Sequence, residues 1–221
     1  MQSENIFENE KVVFYNETNT NRYLIFKRIM DFIISFIALI VLSPILLIIA
    51  LFVKIDSAGP AIYKHYRLGK NGKVIGVYKF RTMVKNADEI FRNFTKEQKE
   101  EYEIFFKLEN DPRITRIGNF LRKTSLDELP QILNILKGEM SIIGPRPVVL
   151  DELKKFGNLK DKYLSVLPGL TGWWACNGRS NTTYEERIDL EMYYINNQSL
   201  KLDIECFFKT ILAVFKRNGA M

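Results

Sequence analysis

Between Ile29 and Val53 run 25 residues whose only departures from apolar character are Asp31, Ser35, Ser43 and Pro44. As a helix this run is long enough to cross the hydrocarbon core of a bilayer, which needs about 20 apolar residues. A cleavable signal peptide does not fit, because the run starts late, is too long and is followed by no small-residue cleavage site. The ordinary alternative is an apolar core helix of a soluble domain, and the length weighs against it. The chain therefore reads as a polar, acidic tail over residues 1–22, a membrane helix over 23–56 and a domain over 57–221.

Pro44 governs how such a helix sits. A mid-helix proline removes one hydrogen bond and clashes with the preceding turn, so a kink or break is expected near Leu42 and Ser43. The Ser43 hydroxyl is available to satisfy a freed carbonyl in the membrane. Lys27 and Arg28 flank one end, and Lys54 and the basic region from Lys64 flank the other, so both ends read as cytoplasmic. A re-entrant helix broken at Ser43-Pro44, entering and leaving by one face, satisfies both observations; a kinked spanning helix is the alternative. Asp31 fits a helix end at the interface better than one at depth.

The first twenty residues hold four Glu against one Lys, a net of −3, so with +6 for the whole chain the remainder carries +9. A basic body of this kind suits nucleic acid, anionic lipid surfaces or phosphorylated small molecules. Only net charge speaks for nucleic acid; no recognition motif or repeated aromatic platform backs it, so no such partner is expected. Cys176 and Cys206 form neither a disulfide framework nor a zinc site, which points to a reducing cytoplasm. The single histidine, His65, makes a His-based triad or multi-histidine metal centre hard to build and reads as a surface residue.

The domain reads as mainly α with a small β-hairpin, an α+β architecture. Ala61–Tyr66 and Val74–Phe80 flank a Gly- and Asn-containing turn, the signature of a hairpin. Seven Lys or Arg and no acid fall between Ser57 and Ala87, which suits lipid phosphates or an anionic substrate; a lysine-protected sheet edge explains them equally well. Residues 86–107 are charged and read as one or two exposed helices. In Leu202–Arg217 the residues Ile204, Phe207, Phe208, Ile211, Leu212 and Phe215 form one stripe, which faces a core in the commoner case and a membrane interface in the other.

The chemistry is expected at Ser125–Pro130, where the adjacent carboxylates Asp127 and Glu128 follow a stretch with four cations, Arg113, Arg116, Arg122 and Lys123, and no acid. That field favours ionised carboxylates and attracts polyanions or Mg2+. The plain alternative is a capping box, Ser125 as N-cap with Glu128 reaching back to it. A helix then continues from Pro130 to Lys137 and stops at Gly138. In Ser141–Pro147 an arginine, Arg146, stands between two prolines, which suits a pre-positioned guanidinium for phosphate or a structural turn. Leu167–Ser180 is a Gly-rich loop with two tryptophans and Arg179, able to hold a nucleotide base or a membrane interface.

In their joint order these segments resemble the bacterial sugar transferase family, the monotopic phosphoglycosyl transferases. The carriers are the apolar segment broken at Ser43-Pro44, Lys79 to Met83, Asp111-Pro112-Arg113, Leu121 to Gln131, Gly144 to Pro147, and Pro168 to Gly172 with Asn177-Gly178-Arg179. The resemblance covers about nine tenths of the chain, and the length between Met83 and Asp111 is similar to the exopolysaccharide and capsule branch. It implies transfer of a sugar 1-phosphate from a nucleoside diphosphate sugar, usually a UDP-sugar, to polyprenyl phosphate at the cytoplasmic face of the inner membrane, with release of UMP. It implies Asp127 as nucleophile, Glu128 beside it on Mg2+, Arg146 and Arg179 toward the donor, and Lys79 and Arg81 toward the lipid phosphate, with Arg113 and Arg122 as further substrate-binding cations. Direct attack by the lipid phosphate, and a basic membrane scaffold in which the dyad only caps a helix, are the alternatives. One departure is Trp174-Ala175 where the family often has Ala-Gln, which bears on donor recognition. The sugar and the oligomeric state, a homodimer included, stay open.

Overall fold

The computed structural model describes residues 21–105, 108, 110–178 and 182–216. It is mostly helical with two small sheets. A 36-residue helix, α1 (Asn21–Asp56), leads into a hairpin of β1 (Ile62–Leu68) and β2 (Val74–Phe80). The charged stretch forms α2 (Ala87–Arg92) and α3 (Lys96–Phe105), followed by α4 (Arg116–Thr124) and α5 (Ile132–Lys137). Then come β3 (Ser141–Ile143), α6 (Leu150–Lys154), α7 (Lys160–Leu164), β4 (Gly169–Thr171), α8 (Trp173–Asn177), α9 (Tyr184–Asn196) and α10 (Leu200–Lys216). The expected 1–22 tail lies outside the described residues, apart from Asn21 and Arg22, which open α1.

Helix α1 runs through Pro44 without a gap in its helical assignment. Pro44 has no N–H to give Ile40, and the Ser43 hydroxyl donates to that same carbonyl at 2.8 Å. The side chain thus restores the bond that the imide removes. Only a narrow stripe of α1 is covered, including Asp31, Ser35, Ile49 and Val53, while large apolar residues such as Val41, Leu47 and Ile55 stand exposed around it. An apolar surface this continuous is unstable in water and at home in lipid.

Both ends of α1 are bound to the folded domain. Near its start, Lys27 and Tyr23 each donate to Asp203 Oδ2 at 2.8 Å, and Arg28 donates to the carbonyls of Ile135 and Leu136 at the end of α5. A cation there complements the negative end of the α5 dipole. Asp31 Oδ1 accepts the Ile142 N–H at 3.1 Å. At its far end, Asp56 accepts the Ile117 N–H, and Ile49 and Val53 pack with Ala61, Phe80 and Leu121.

The hairpin pairs antiparallel from Ile62↔Phe80 to Leu68↔Val74, as its turn chemistry predicts. The Gly-rich stretch from Leu167 is more ordered than a loop: β4 pairs parallel with β3, and α8 follows. Here the glycines serve backbone-to-backbone packing, since a Cβ on Gly169 would meet Gly144 N at 2.2 Å and one on Gly172 would meet Gly144 O at 2.1 Å. The main core joins Leu68, Val148, Phe156, Tyr163, Tyr194, Leu202 and Cys206. The two cysteines are free thiols with sulfurs 3.6 Å apart, between α8 and α10. On α10 the inward residues are Leu202, Asp203 and Cys206, whereas Ile204, Phe207, Phe208, Ile211 and Leu212 face outward. The aromatic stripe is therefore not the core-facing side. The side chain of Phe215 lies outside the described ones.

Candidate active site

Asp127 and Glu128 sit on a 3-10 turn, Leu126–Gln131, between α4 and α5 and against β2. Ser125 ends α4 with φ 58° and ψ 16°, a left-handed conformation that turns the chain sharply into the dyad. The capping box is not formed: Ser125 makes no side-chain cap bond, and the Glu128 carboxylate turns to Lys79 Nζ at 2.6 Å. A capping box does occur at Thr183 and Glu186, where it starts α9.

Lys79 comes from β2 and bridges the pair, with its Nζ also 3.9 Å from Asp127 Oδ2. Asp127 is 8% exposed. Burial lifts its carboxyl above the usual carboxylate range, Lys79 opposes that, and Glu128 adds to it. Arg122 and Arg146 lower it too, so a dry carboxylate stands within a ring of cations. Arg146 also reaches Glu128 Oε1 at 3.4 Å.

Strand alternation brings further groups to this face. Tyr63 lies opposite Lys79 in the hairpin, and His65 and Arg67 follow at every second residue. His65 is half-buried, not on the surface as its sequence context implies. Burial, then Arg67, Lys79, Arg146 and Arg122, push its imidazole down to about 3, which keeps it neutral. Arg67 pairs with Glu152 at 3.4 Å, and Glu152 with Arg187 at 2.5 Å.

Beyond Arg146 lies a small recess of about 10 Å³, water-sized, lined among others by Gly144, Gly172, Trp174 and Glu191. The Arg146 backbone is clamped from both sides: its N–H donates to Glu191 Oε1 at 3.0 Å, and its carbonyl accepts from the Tyr163 hydroxyl. With Pro145 and Pro147 fixing the flanking φ angles, the guanidinium is held at the dyad's edge.

The chain matches the family profile for bacterial sugar transferases over residues 22–217. It belongs to the bacterial sugar transferase family. An undecaprenyl-phosphate galactose phosphotransferase of Salmonella typhimurium is 44% identical over 223 residues, which cover 97% of this chain and 46% of that protein. Exopolysaccharide production protein ExoY of Sinorhizobium fredii is 45% identical over 197 residues, 88% of this chain and 87% of ExoY. A UDP-glucose:undecaprenyl-phosphate glucose-1-phosphate transferase of Escherichia coli is 39% identical over 212 residues, 92% of this chain and 42% of the relative. The chain thus spans less than half the length of the Salmonella and Escherichia proteins and nearly all of ExoY's.

Among the residues expected to bind substrate in this family, the fold gathers Lys79, Arg122 and Arg146 around Asp127 and Glu128. Arg122 is steadied by Thr82 Oγ1 at 2.9 Å. Arg81 is used elsewhere: it donates to the carbonyls of Val53, Ser57 and Pro60 and to the Ser57 hydroxyl, closing the end of α1. Arg113 is likewise engaged, paired two-pronged with Asp111 and stacked against Phe91, Phe94 and Tyr102. Both guanidiniums are thus buried and engaged in contacts within the fold. Arg179 lies outside the described residues.

Two adjacent carboxylates suit Mg2+, which keeps several waters and takes one or two carboxylates plus substrate phosphates. Asp127 and Glu128 are the two that could hold such an ion; among the described residues no group of three or more His, Cys, Asp and Glu is placed to hold a metal.

Proposed function

We propose that this chain transfers a sugar 1-phosphate from a UDP-sugar to polyprenyl phosphate, releasing UMP, as the first membrane step in building an exopolysaccharide, capsule or other surface glycan. The observation that carries this is Lys79 bridging a buried Asp127 and its neighbour Glu128 inside a cluster of arginines. The names of the Salmonella and Escherichia relatives support the acceptor, and the Escherichia name supports the UDP donor.

In the proposed reaction an Asp127 oxygen attacks the sugar-bearing phosphorus. The bond from that phosphorus to the bridging oxygen breaks, and UMP leaves with the electron pair. An oxygen of the lipid phosphate then attacks the same phosphorus, the bond to Asp127 breaks, and the carboxylate is restored as the polyprenyl diphosphate sugar departs. Asp127 and Glu128 would hold Mg2+, which supplies charge neutralisation of the diphosphate. Lys79, Arg122 and Arg146 neutralise what remains, without which one anion does not approach another. Two steps allow a soluble nucleotide to leave before a lipid enters the same pocket.

The same reading divides the chain into an N-terminal tail (1–22), a re-entrant membrane helix (23–56) and a cytoplasmic catalytic domain (57–221) at the bacterial inner membrane. Its support is the anchoring of both ends of α1 on one domain. Lys27 and Asp56 are 29 residues apart, about 43 Å along a straight helix, yet both bind that domain. A spanning helix would carry one of them across about 30 Å of hydrocarbon. The outward Phe207, Phe208 and Leu212 of α10 suit an interfacial helix lying beside it.

The test is UMP release from a panel of UDP-sugars by protein in nanodiscs with Mg2+ and polyprenyl phosphate. Lipid-dependent release that Asp127→Asn abolishes, with a phosphosugar adduct on Asp127 when lipid is withheld, is expected. Turnover without any adduct would favour direct attack by lipid phosphate, and no turnover with any nucleotide sugar would leave a scaffold.

A further inference from the structure

The only two cysteines of the chain meet where α8 packs on α10. Cys176 in α8 and Cys206 in α10 are free thiols whose sulfurs stand 3.6 Å apart. At that distance the two sulfurs touch and need to approach by only about 1.5 Å to bond. A cysteine in a core is ordinarily an inert small apolar group, and Cys206, fully buried in the main cluster, fits that description. Cys176 packs against the same cluster but is only half-buried, so reagents from solvent have a way to the pair.

The surroundings treat the two sulfurs differently. Asn177 Nδ2 donates to Cys176 Sγ at 3.4 Å. Lys209, from α10, donates to the Asn177 side-chain oxygen at 3.2 Å and lies over the Trp173 ring at 4.3 Å. The Cys206 thiol, turned toward Cys176, and then Lys209 draw the Cys176 thiol below its usual range, against burial and the more distant Glu205. The same contact, with burial, pushes Cys206 up. One sulfur is thus the accessible thiolate former and the other a buried thiol beside it, the division of labour between an attacking and a resolving cysteine.

Helix α8 starts directly after Gly172, whose backbone lies so close on the Gly144 carbonyl that no Cβ fits between them. Gly144 leads through Pro145 into Arg146, which reaches Glu128. Backbones packed without slack transmit displacement, so a pull on α8 is passed to the segment that holds Arg146. We propose that Cys176 and Cys206 form an oxidative modification site, which a hydroperoxide closes into a disulfide between α8 and α10, and that the closed bond slows transfer at the dyad. The effect on transfer rests on the transferase reading above. The Cys176 thiolate attacks one oxygen of hydrogen peroxide, the O–O bond breaks, and hydroxide leaves with the electron pair and takes up the proton that the thiol gave. The Cys206 sulfur then attacks the resulting sulfenic acid, the S–O bond breaks, and a second water leaves with the Cys206 proton. Two thiols are oxidised to one disulfide and one peroxide is reduced to two waters. In a reducing cytoplasm such a bond is transient, as redox-sensing disulfides are.

The experiment treats the protein in nanodiscs with stepped hydrogen peroxide, then measures lipid-dependent UMP release and, after alkylation and digestion, the state of each cysteine by mass spectrometry. Wild type is expected to lose both free thiols together and to yield Cys176 and Cys206 peptides joined within one chain. Its turnover should fall by about tenfold or more, the scale of loss when a positioning group is displaced. Dithiothreitol should restore thiols and turnover alike. Cys176→Ser should match reduced wild type and keep its rate in peroxide. Should that variant misfold, recovery of wild-type turnover in step with loss of the cross-link decides the same point. Sulfinic acid at Cys176 without a cross-link, a bond between two chains only, or a cross-link with unchanged turnover would each overturn the proposal. So would an equal loss of turnover in Cys176→Ser. A cross-linked protein that releases no UMP even when reduced would sink the transferase reading and leave the disulfide site upheld.

Discussion

The ammonium of Lys79 donates to Glu128 at 2.6 Å while standing 3.9 Å from Asp127, so a single strand residue holds two adjacent carboxylates together. Without it, two neighbouring anions would face each other in a largely buried site, and one would be driven to its neutral form. In the proposed reaction this lysine keeps Asp127 a competent nucleophile. Lys79→Met is therefore expected to slow formation of the Asp127 adduct by about 100-fold or more. Lys79→Arg, which keeps the charge, should recover part of the rate. Rapid quench of the lipid-free half reaction measures this, and equal rates in wild type and Lys79→Met would refute it.

His65 gives the fold a pH dependence of definite sign. Its folded value near 3 lies below the 6.5 of an unfolded histidine, so between these limits the unfolded chain binds more protons and stability falls as pH drops. By pH 5 the loss from this group alone is about 2 kcal/mol. His65→Gln, which cannot titrate, should retain that stability between pH 7 and pH 5, read as a smaller fall in Tm of the detergent-solubilised protein. Identical pH profiles for the two proteins would show that His65 stays solvated.

The positions of His65 and Glu191 show where the sequence stopped being informative. The apolar run and the hairpin are local signals, and each forms the element its pattern implies. His65, Arg67 and Lys79 share a face only because β1 and β2 pair in one register, and that is visible only once the strands are laid together. Helix α9 carries no clear sequence signal, because its inward residues include Arg187 and Glu191, which break the apolar stripe that normally announces a helix. The α10 stripe was legible as a stripe, but the side it faces depends on what packs there, and Leu202 and Cys206 take the inner side. A count of cations likewise says nothing about which have partners; Asp111 and the end of α1 had already claimed Arg113 and Arg81.

Arg113 is the clearest such case. Its guanidinium is ion-paired with Asp111, with both side chains under 10% exposed, and is enclosed by three aromatic rings. Removing one member of a buried pair leaves the other charge uncompensated, at a cost of about 3–5 kcal/mol. Arg113→Met is expected to lower stability by that order while the folded fraction keeps the donor KM of wild type. Chemical denaturation and steady-state kinetics on the same preparation decide it. A normal Tm with a raised KM would return Arg113 to the substrate site.

Ser43 and Pro44 act as a pair, because the proline frees the Ile40 carbonyl and the serine hydroxyl occupies it. Ser43→Ala leaves that carbonyl without its partner, a loss of about 1 kcal/mol, and should not alter topology. Pro44→Ala is different. It returns an N–H to the ladder and removes the ring clash, which favours a continuous straight helix by about 3 kcal/mol. In the re-entrant arrangement this works against the bonds that Lys27, Arg28 and Asp31 make to the domain. A reporter cysteine at Asn21, in a Cys176→Ser background, should therefore react with a membrane-impermeant maleimide only from the cytoplasmic side in wild type. In Pro44→Ala a measurable fraction should react from the opposite side of sealed vesicles. Labelling of the wild-type reporter from that opposite side would instead make α1 a kinked spanning helix.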